Sequence, residues 1–119
     1  MQYTPTTKLL PEKNDTMKRE AFKMYLKPGK EAEYEKRHNE IWDELKSLLK
    51  EAGISDYSIF WDEETNVLYA SQKVEEGSSQ SLGENPVVQK WWAYMADIME
   101  TNPDNSPVSK SLKEVFYLK

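Results

Sequence analysis

The chain has 119 residues with a formal net charge of −5, and 38% of its residues are hydrophobic and 31% are charged. This composition is typical of one soluble globular domain, and no stretch reaches the ~20 consecutive apolar residues that a membrane-spanning helix needs. The dispersed basic residues argue against nucleic acid or a membrane as partners, and the lack of cysteine excludes disulfides, thiolate nucleophiles and cysteine metal sites.

Residues 1–16 are predicted to be an N-terminal extension. They are polar, they contain Pro5 and Pro11, and they have no sustained hydrophobic period. They also lack the apolar run of a secretory signal, and Met17 offers an alternative start. A cytoplasmic protein is therefore expected, with a single domain over residues 17–119.

The first strand and the first helix follow this extension. Residues 19–27 alternate between two sets of side chains, which predicts a half-buried strand. Residues 31–52 carry apolar side chains at steps of three and four, which predicts one continuous helix. Acidic residues gather near the start of this helix and lysines near its end, as the helix dipole favours, and Gly53 is a natural stop.

A β-hairpin and a second helix come next. Residues 56–62 and 67–74 are rich in β-branched and aromatic residues and are joined by the short polar sequence EETN, which predicts a hairpin. Asn85 is predicted to cap a helix whose first residue is Pro86, and apolar residues continue at helical spacing as far as Met99.

The chain closes with a loop, TNPDNSPVSK, and a strand predicted over residues 111–119. The loop is either a pocket wall or a rigid connector, since Asp and Asn beside proline form well-defined turns. The order strand, helix, strand, strand, helix, strand predicts an α+β, ferredoxin-like fold with both helices on one face of a four-stranded antiparallel sheet. We expect the other face, with its aromatic side chains, to be buried against a second copy in a two-fold homodimer.

His38 is the only histidine in the chain and the strongest candidate for chemistry. An imidazole with an ordinary pKa of ~6.5 moves protons in both directions near neutral pH. Tyr34 lies one turn earlier on the same face of the predicted helix. Phosphate-binding loops, metal-ligand spacings and nucleophile-elbow motifs are absent from the sequence, so we expect no metal, no cofactor and no covalent step. The alternative is that His38 is an ordinary residue at the helix boundary.

Aromatic residues are candidates for the wall of a ligand pocket. The chain contains four Trp and seven Tyr, whose rings combine an apolar face with a polar group and often line sugar sites. Trp91 and Trp92 are adjacent on a predicted helix and point about 100° apart, so that one ring can pack inward while the other borders a cleft. Both tryptophans are equally compatible with a purely structural role. Tyr57 opens a strand, and its position in the sequence alone favours a structural role over a functional one.

From Met17 to Lys119 the chain resembles the L-rhamnose mutarotase family. The stretches that carry the resemblance are AFKMYLKPG, EYEKRHNEIWDELKSLLKEAGISDYSI, the WWAYM run and NPDNSPVSKSLKEVFYL. The resemblance implies a dimeric α/β-barrel architecture and the interconversion of the α and β anomers of L-rhamnose. It implies that His38 is the catalytic acid. The sugar-binding positions that it implies are Tyr34, Tyr57, Trp91 and Trp92.

Two departures from the family pattern stand out. The N-terminal arm is extra, and GSSQSLGENP is shorter and poorer in aromatic residues than we expect of the family. The second departure puts the start of the local helix and the pocket rim in question.

The mechanism that the resemblance implies is acid–base catalysis, in which His38 gives a proton to the ring oxygen and retrieves it when the ring closes. The partner base is either a water held by a tyrosine or a backbone carbonyl. Two other functions compete with this one. The first is a haem-degrading monooxygenase of the same architecture, with His38 as axial ligand, and the second is a non-catalytic sugar-binding or dimerisation module.

Overall fold

A four-stranded antiparallel sheet forms the centre of the fold. In the computed structural model, which describes residues 17–75 and 82–119, the strand order is β2-β3-β1-β4. The strands are β1 (Met17–Tyr25), β2 (Ile54–Asp62), β3 (Val67–Glu75) and β4 (Ser109–Leu112). The helices are α1 (Glu31–Asn39), α2 (Asp43–Glu51) and α3 (Pro86–Met95), with short 3-10 turns at Leu82–Glu84 and Ala96–Ile98. The predicted α+β, ferredoxin-like fold is confirmed, whereas the predicted N-terminal extension lies outside the described residues.

The central strands β1 and β3 position the hydrophobic core. Their register pairs Phe22 with Ala70 and Met24 with Leu68, so these side chains share the face of the sheet that the helices cover. Tyr34 from α1 and Met95 from α3 pack onto this face. No helix among the described residues is long and apolar enough to cross a membrane.

The prediction of one continuous helix over residues 31–52 is wrong. The helix is interrupted between α1 and α2, and Trp42 has an extended backbone with φ −61° and ψ 136°. Asp43 and Glu44 then lie in the first turn of a new helix, where negative charge is favourable. The apolar spacing runs through this break unchanged, so periodicity alone could not reveal it. The interruption lets the Trp42 ring pack against residues of α3.

The predicted closing strand over residues 111–119 is also wrong in its extent. Only Ser109–Leu112 pair with β1, and residues 113–119 form no regular element. Arg19 holds this terminal segment through two hydrogen bonds to Glu114, of 2.7 and 2.8 Å, and its guanidinium lies 3.4 Å from the centre of the Tyr117 ring. The pairing with β1 is not continued beyond Leu112, and Val115, Phe116 and Leu118 are left exposed on the surface.

The predicted start of the second helix is confirmed. The Asn85 side chain accepts a hydrogen bond of 2.8 Å from the backbone N–H of Val87, and Pro86 is the first helical residue. The helix ends at Met95 rather than near Met99, because its last turn tightens into the 3-10 turn.

Candidate active site

A cleft with a volume of about 1100 Å³ lies between the helices and the helix-covered face of the sheet. The residues predicted from the sequence all contribute to its lining: Tyr34, His38, Tyr57, Trp91 and Trp92. They come from α1, β2 and α3, so the fold brings together positions that are far apart in the chain.

The His38 imidazole is held between two aromatic rings. It stacks on Tyr34 with ring centres 4.2 Å apart and planes inclined by 26°. The Trp91 ring lies nearly perpendicular to it, with ring centres 5.5 Å apart and an interplanar angle of 87°. Tyr34 is itself in the core, with 7% of its surface exposed, so the imidazole rests on a buried support. These contacts restrict the orientation of the imidazole within the cleft.

One hydrogen bond assigns the tautomer of His38. Nδ1 lies 3.1 Å from the backbone carbonyl oxygen of Tyr34, one turn earlier on α1. A carbonyl oxygen only accepts hydrogen bonds, so we assign the proton to Nδ1, which leaves Nε2 unprotonated. Burial lowers the pKa of His38 below its ordinary value, and the bond to Tyr34 opposes this effect without cancelling it. The resting imidazole is therefore neutral near pH 7, with its lone pair on Nε2.

The two cleft tyrosines are neutral phenols. Burial raises the pKa of Tyr34 above its ordinary value, and Tyr57 contributes to this rise. Tyr57 keeps 40% of its surface exposed, yet enough protein surrounds its hydroxyl to raise its pKa to about 12. Each phenol therefore both donates and accepts hydrogen bonds at neutral pH, which is what the hydroxyls of a sugar require.

The tandem tryptophans both line the cleft, but they are supported differently. Trp91 packs partly against the core and lies nearly perpendicular to the Trp42 ring, with ring centres 5.1 Å apart. Trp92 lies beneath the turn at Gly83, where an added Cβ would come within 3.1 Å of its Cη2 atom. Glycine at this position therefore allows the backbone to approach the indole ring closely.

The loop TNPDNSPVSK contributes less to the cleft than its polar residues suggested. Pro107 lines the cleft. Asn102 instead donates its side-chain amide to the Ser106 hydroxyl at 3.0 Å, and Asp104 accepts from the Ser106 backbone N–H at 3.0 Å. These polar groups stabilise the loop itself, so the loop is a rigid connector whose proline borders the cleft.

The polar residues of the cleft that were missed from the sequence are Glu20, Glu31, Glu35, Asn39 and Gln72. Glu20 of β1 and Gln72 of β3 line it, and the Gln72 side-chain amide donates a hydrogen bond of 3.0 Å to the Glu20 carboxylate. The alternation of each strand already placed them on the same face as Phe22 and Ala70. That signal was available, but only the strand register shows that the two residues are neighbours.

A model of the L-rhamnose mutarotase family matches residues 19–118. The chain belongs to this family. It is 72% identical over 103 residues to an L-rhamnose mutarotase of Bacteroides thetaiotaomicron, with 86% of this chain and 99% of the relative covered. An L-rhamnose mutarotase of Phocaeicola vulgatus is 66% identical over 103 residues, with the same shares covered. The crystal structure of an L-rhamnose mutarotase from Formosa agariphila has a TM-score of 0.81 and 56% identity, with 86% of this chain and 99% of that chain covered.

The family expected from the sequence motifs is thus confirmed, and with it an isomerase rather than a haem-degrading monooxygenase. The roles of the individual site residues are not tested by these similarities and stay predictions. All of these residues border one cleft, in which His38 Nδ1 is engaged by the Tyr34 carbonyl.

Proposed function

We propose that this protein interconverts the α and β anomers of L-rhamnose in the cleft, with His38 as the proton-transfer group. The observation that carries the proposal is the environment of the imidazole. Its Nδ1 is engaged by the Tyr34 carbonyl at 3.1 Å, and its Nε2 remains for exchange in a cleft lined by aromatic rings. The relatives from Bacteroides thetaiotaomicron and Phocaeicola vulgatus are both named L-rhamnose mutarotases.

Anomers exchange when the sugar ring opens and closes again. The neutral Nε2 of His38 takes the proton of the anomeric hydroxyl while the bond between the anomeric carbon and the ring oxygen breaks, and the imidazolium gives the proton to that oxygen. Rotation about the adjacent carbon–carbon bond presents the other face of the aldehyde, and the same steps in reverse close the ring. The two oxygens are bonded to one carbon, so a single Nε2 serves both, and His38 acts first as a base and then as an acid.

The aromatic residues would hold the sugar during this cycle. Trp91 and Trp92 offer flat apolar surfaces for the C–H face and the methyl group of a 6-deoxy sugar. The neutral hydroxyls of Tyr34 and Tyr57 pair with sugar hydroxyls as donors or acceptors. General acid–base catalysis contributes about 10²- to 10⁴-fold, which suits a reaction that already proceeds slowly in water.

Saturation-transfer NMR tests the proposed reaction directly. The α-anomer signal of L-rhamnose is saturated and the loss of the β-anomer signal is followed with native protein, with His38→Ala and with Lys36→Ala, an exposed control on the same helix. We expect exchange above the buffer rate for the native protein and the control, and a loss of about 10²-fold or more for His38→Ala. Sugar binding without exchange in the native protein would make the cleft a non-catalytic sugar site. Undiminished exchange in His38→Ala would exclude His38 as the proton carrier.

We also propose that the protein is a homodimer. The terminal segment exposes Val115, Phe116 and Leu118 to 86%, 77% and 79%. On the sheet face away from the helices, Phe60 and Tyr69 are paired across β2 and β3 and are exposed to 67% and 39%. Large apolar side chains exposed in this way favour association, and a two-fold pair of identical surfaces is the most common solution.

Sedimentation equilibrium over a range of concentrations tests the dimer. The double variant Phe116→Asp, Leu118→Asp is expected to shift the mass towards that of one chain. Lys46→Asp, an exposed substitution on α2, should leave the mass unchanged. A native protein with the mass of one chain at every concentration would refute the proposal.

A further inference from the structure

Glu20 and Gln72 form a polar pair on the face of the sheet that the helices cover. They lie directly opposite each other in the register of β1 and β3, and Gln72 Nε2 donates to Glu20 Oε1 at 3.0 Å. The other residues of these two strands that share this face and belong to the core are Met24, Leu68, Ala70 and Val74. A carboxylate on an apolar face costs desolvation free energy, which one neutral hydrogen bond offsets only in part.

The pair lies on the floor of the cleft, in line with Tyr57. Ser55 pairs with Lys73 and Ser58 with Ser71, so the two intervening residues of β2, Asp56 and Tyr57, both fall opposite Gln72. Two residues facing one is a β-bulge, and the φ of +48° at Asp56 marks it. Glu20, Gln72 and Tyr57 therefore form a row across three strands, and all three line the cleft that also contains His38.

This row presents hydrogen-bond acceptors to the cleft. Gln72 engages one oxygen of the Glu20 carboxylate and uses its own amide N–H to do so. The second carboxylate oxygen and the Gln72 carbonyl oxygen have no partner among the described residues, and neither is fully buried. Two adjacent acceptors of this kind match two neighbouring hydroxyl groups, because each hydroxyl supplies one donor.

We propose that Glu20, oriented by Gln72, accepts hydrogen bonds from neighbouring sugar hydroxyls away from the anomeric carbon and so determines which sugars bind. This inference rests on the proposed function and assigns it a specificity-determining residue. Glu20 acts on the bound sugar, whereas Gln72 is a positioning residue that holds the carboxylate.

The test separates binding from turnover. Mutarotation rates are measured against L-rhamnose concentration for native protein, Glu20→Gln, Gln72→Leu and Glu63→Gln, an exposed control in the β2–β3 turn. For Glu20→Gln we expect KM to rise about 10-fold or more, as for loss of a hydrogen bond to a charged group, with kcat changed less than about 3-fold. Gln72→Leu is expected to raise KM less, and Glu63→Gln not at all. An unchanged KM for Glu20→Gln, or a kcat reduced about 100-fold at unchanged KM, would overturn the proposal, the latter because it would make Glu20 a proton carrier.

Sugar analogues identify the hydroxyls involved. L-rhamnose analogues that lack the hydroxyl at C2, C3 or C4 are compared in the same assay. We expect the native protein to bind at least one analogue more weakly, and Glu20→Gln to show no further loss with that analogue. Equal effects of Glu20→Gln on every analogue would overturn the assignment to particular hydroxyls.

A binding measurement distinguishes failure of the proposed mutarotase function from failure of the specificity role of Glu20. Tryptophan fluorescence reports sugar binding without turnover, since Trp91 and Trp92 line the cleft. Native protein that binds L-rhamnose but does not exchange its anomers would refute the mutarotase function, and a weaker affinity of Glu20→Gln in that titration would still support the specificity role. Equal affinities of Glu20→Gln and native protein would refute the specificity role alone.

Discussion

Replacing Arg37 by methionine should destabilise the protein and disturb the site through one ion-pair network. The Arg37 side chain is only 11% exposed and donates to Glu33 at 2.8 Å, to Asp97 at 2.8 and 3.1 Å and to the Tyr94 backbone carbonyl at 2.7 Å. Its guanidinium also lies 4.5 Å from the centre of the Tyr94 ring. These contacts tie the last turn of α1, next to His38, to the end of α3.

The size of the effect follows from the exposure of the partners. The Glu33 and Asp97 side chains are 41% and 65% exposed, so each of these ion pairs is screened by solvent. The Tyr94 carbonyl, the bidentate geometry and the aromatic contact add to them. Together we expect a loss of about 2 kcal/mol in the free energy of unfolding. For a domain of this size, this loss corresponds to about 8 °C in Tm.

Thermal unfolding followed by circular dichroism measures this loss, with Lys36→Met as a control that removes an exposed cation from the same helix. We expect Arg37→Met to melt about 8 °C below native protein and the control to melt with it. The saturation-transfer rate of Arg37→Met below its melting temperature should also fall, because α1 is no longer held against α3. Equal melting temperatures for native protein and Arg37→Met would refute the reasoning.

Three further predictions concern the cleft and the core. The mutarotation rate should fall on acidification with a midpoint below pH 6.5, because the proposed base is the neutral His38 and burial lowers its pKa, so that protonation removes the base only at more acid pH. A midpoint above 6.5 in the pH–rate profile would contradict this. Gly83→Ala should raise KM for L-rhamnose several-fold, because the added Cβ would lie 3.1 Å from the Trp92 ring and overpacking of this kind costs about 1–3 kcal/mol. Unchanged KM and Tm would show that the backbone at Gly83 can shift without displacing Trp92. Leu68→Ala should lower the free energy of unfolding, measured by urea denaturation, by about 2–5 kcal/mol, since Leu68 is only 1% exposed. A decrease of less than about 1 kcal/mol would contradict the place of Leu68 in the core.

The existence of the strands and the start of α3 could be predicted because their signals are local. The alternation in β1 and β3 depends only on the pleat of a strand, and the cap at Asn85 depends on residues within one turn. At Trp42, by contrast, the apolar spacing continues across a break in the helix. The break brings Trp42 against Trp91, a contact between elements that periodicity within one helix cannot encode.

The same division applies to the site. That Tyr34 and His38 are neighbours follows from one turn of helix, and the structure places their ring centres 4.2 Å apart. That Tyr57 and the tandem tryptophans border the same cleft depends on how the hairpin and α3 pack, although the family motifs indicated their shared role.

The sequence by itself determined the fold class, the family and the one side chain suited to reversible proton transfer near neutral pH. Tertiary structure decided which nitrogen of His38 is engaged by the Tyr34 carbonyl, where the first helix breaks, and that Glu20 and Gln72 meet on the floor of the cleft. The physical reason is one of range. Helical and strand periods are properties of a few successive residues, whereas hydrogen-bond partners, strand register and burial are set by segments that meet only when the whole chain has packed.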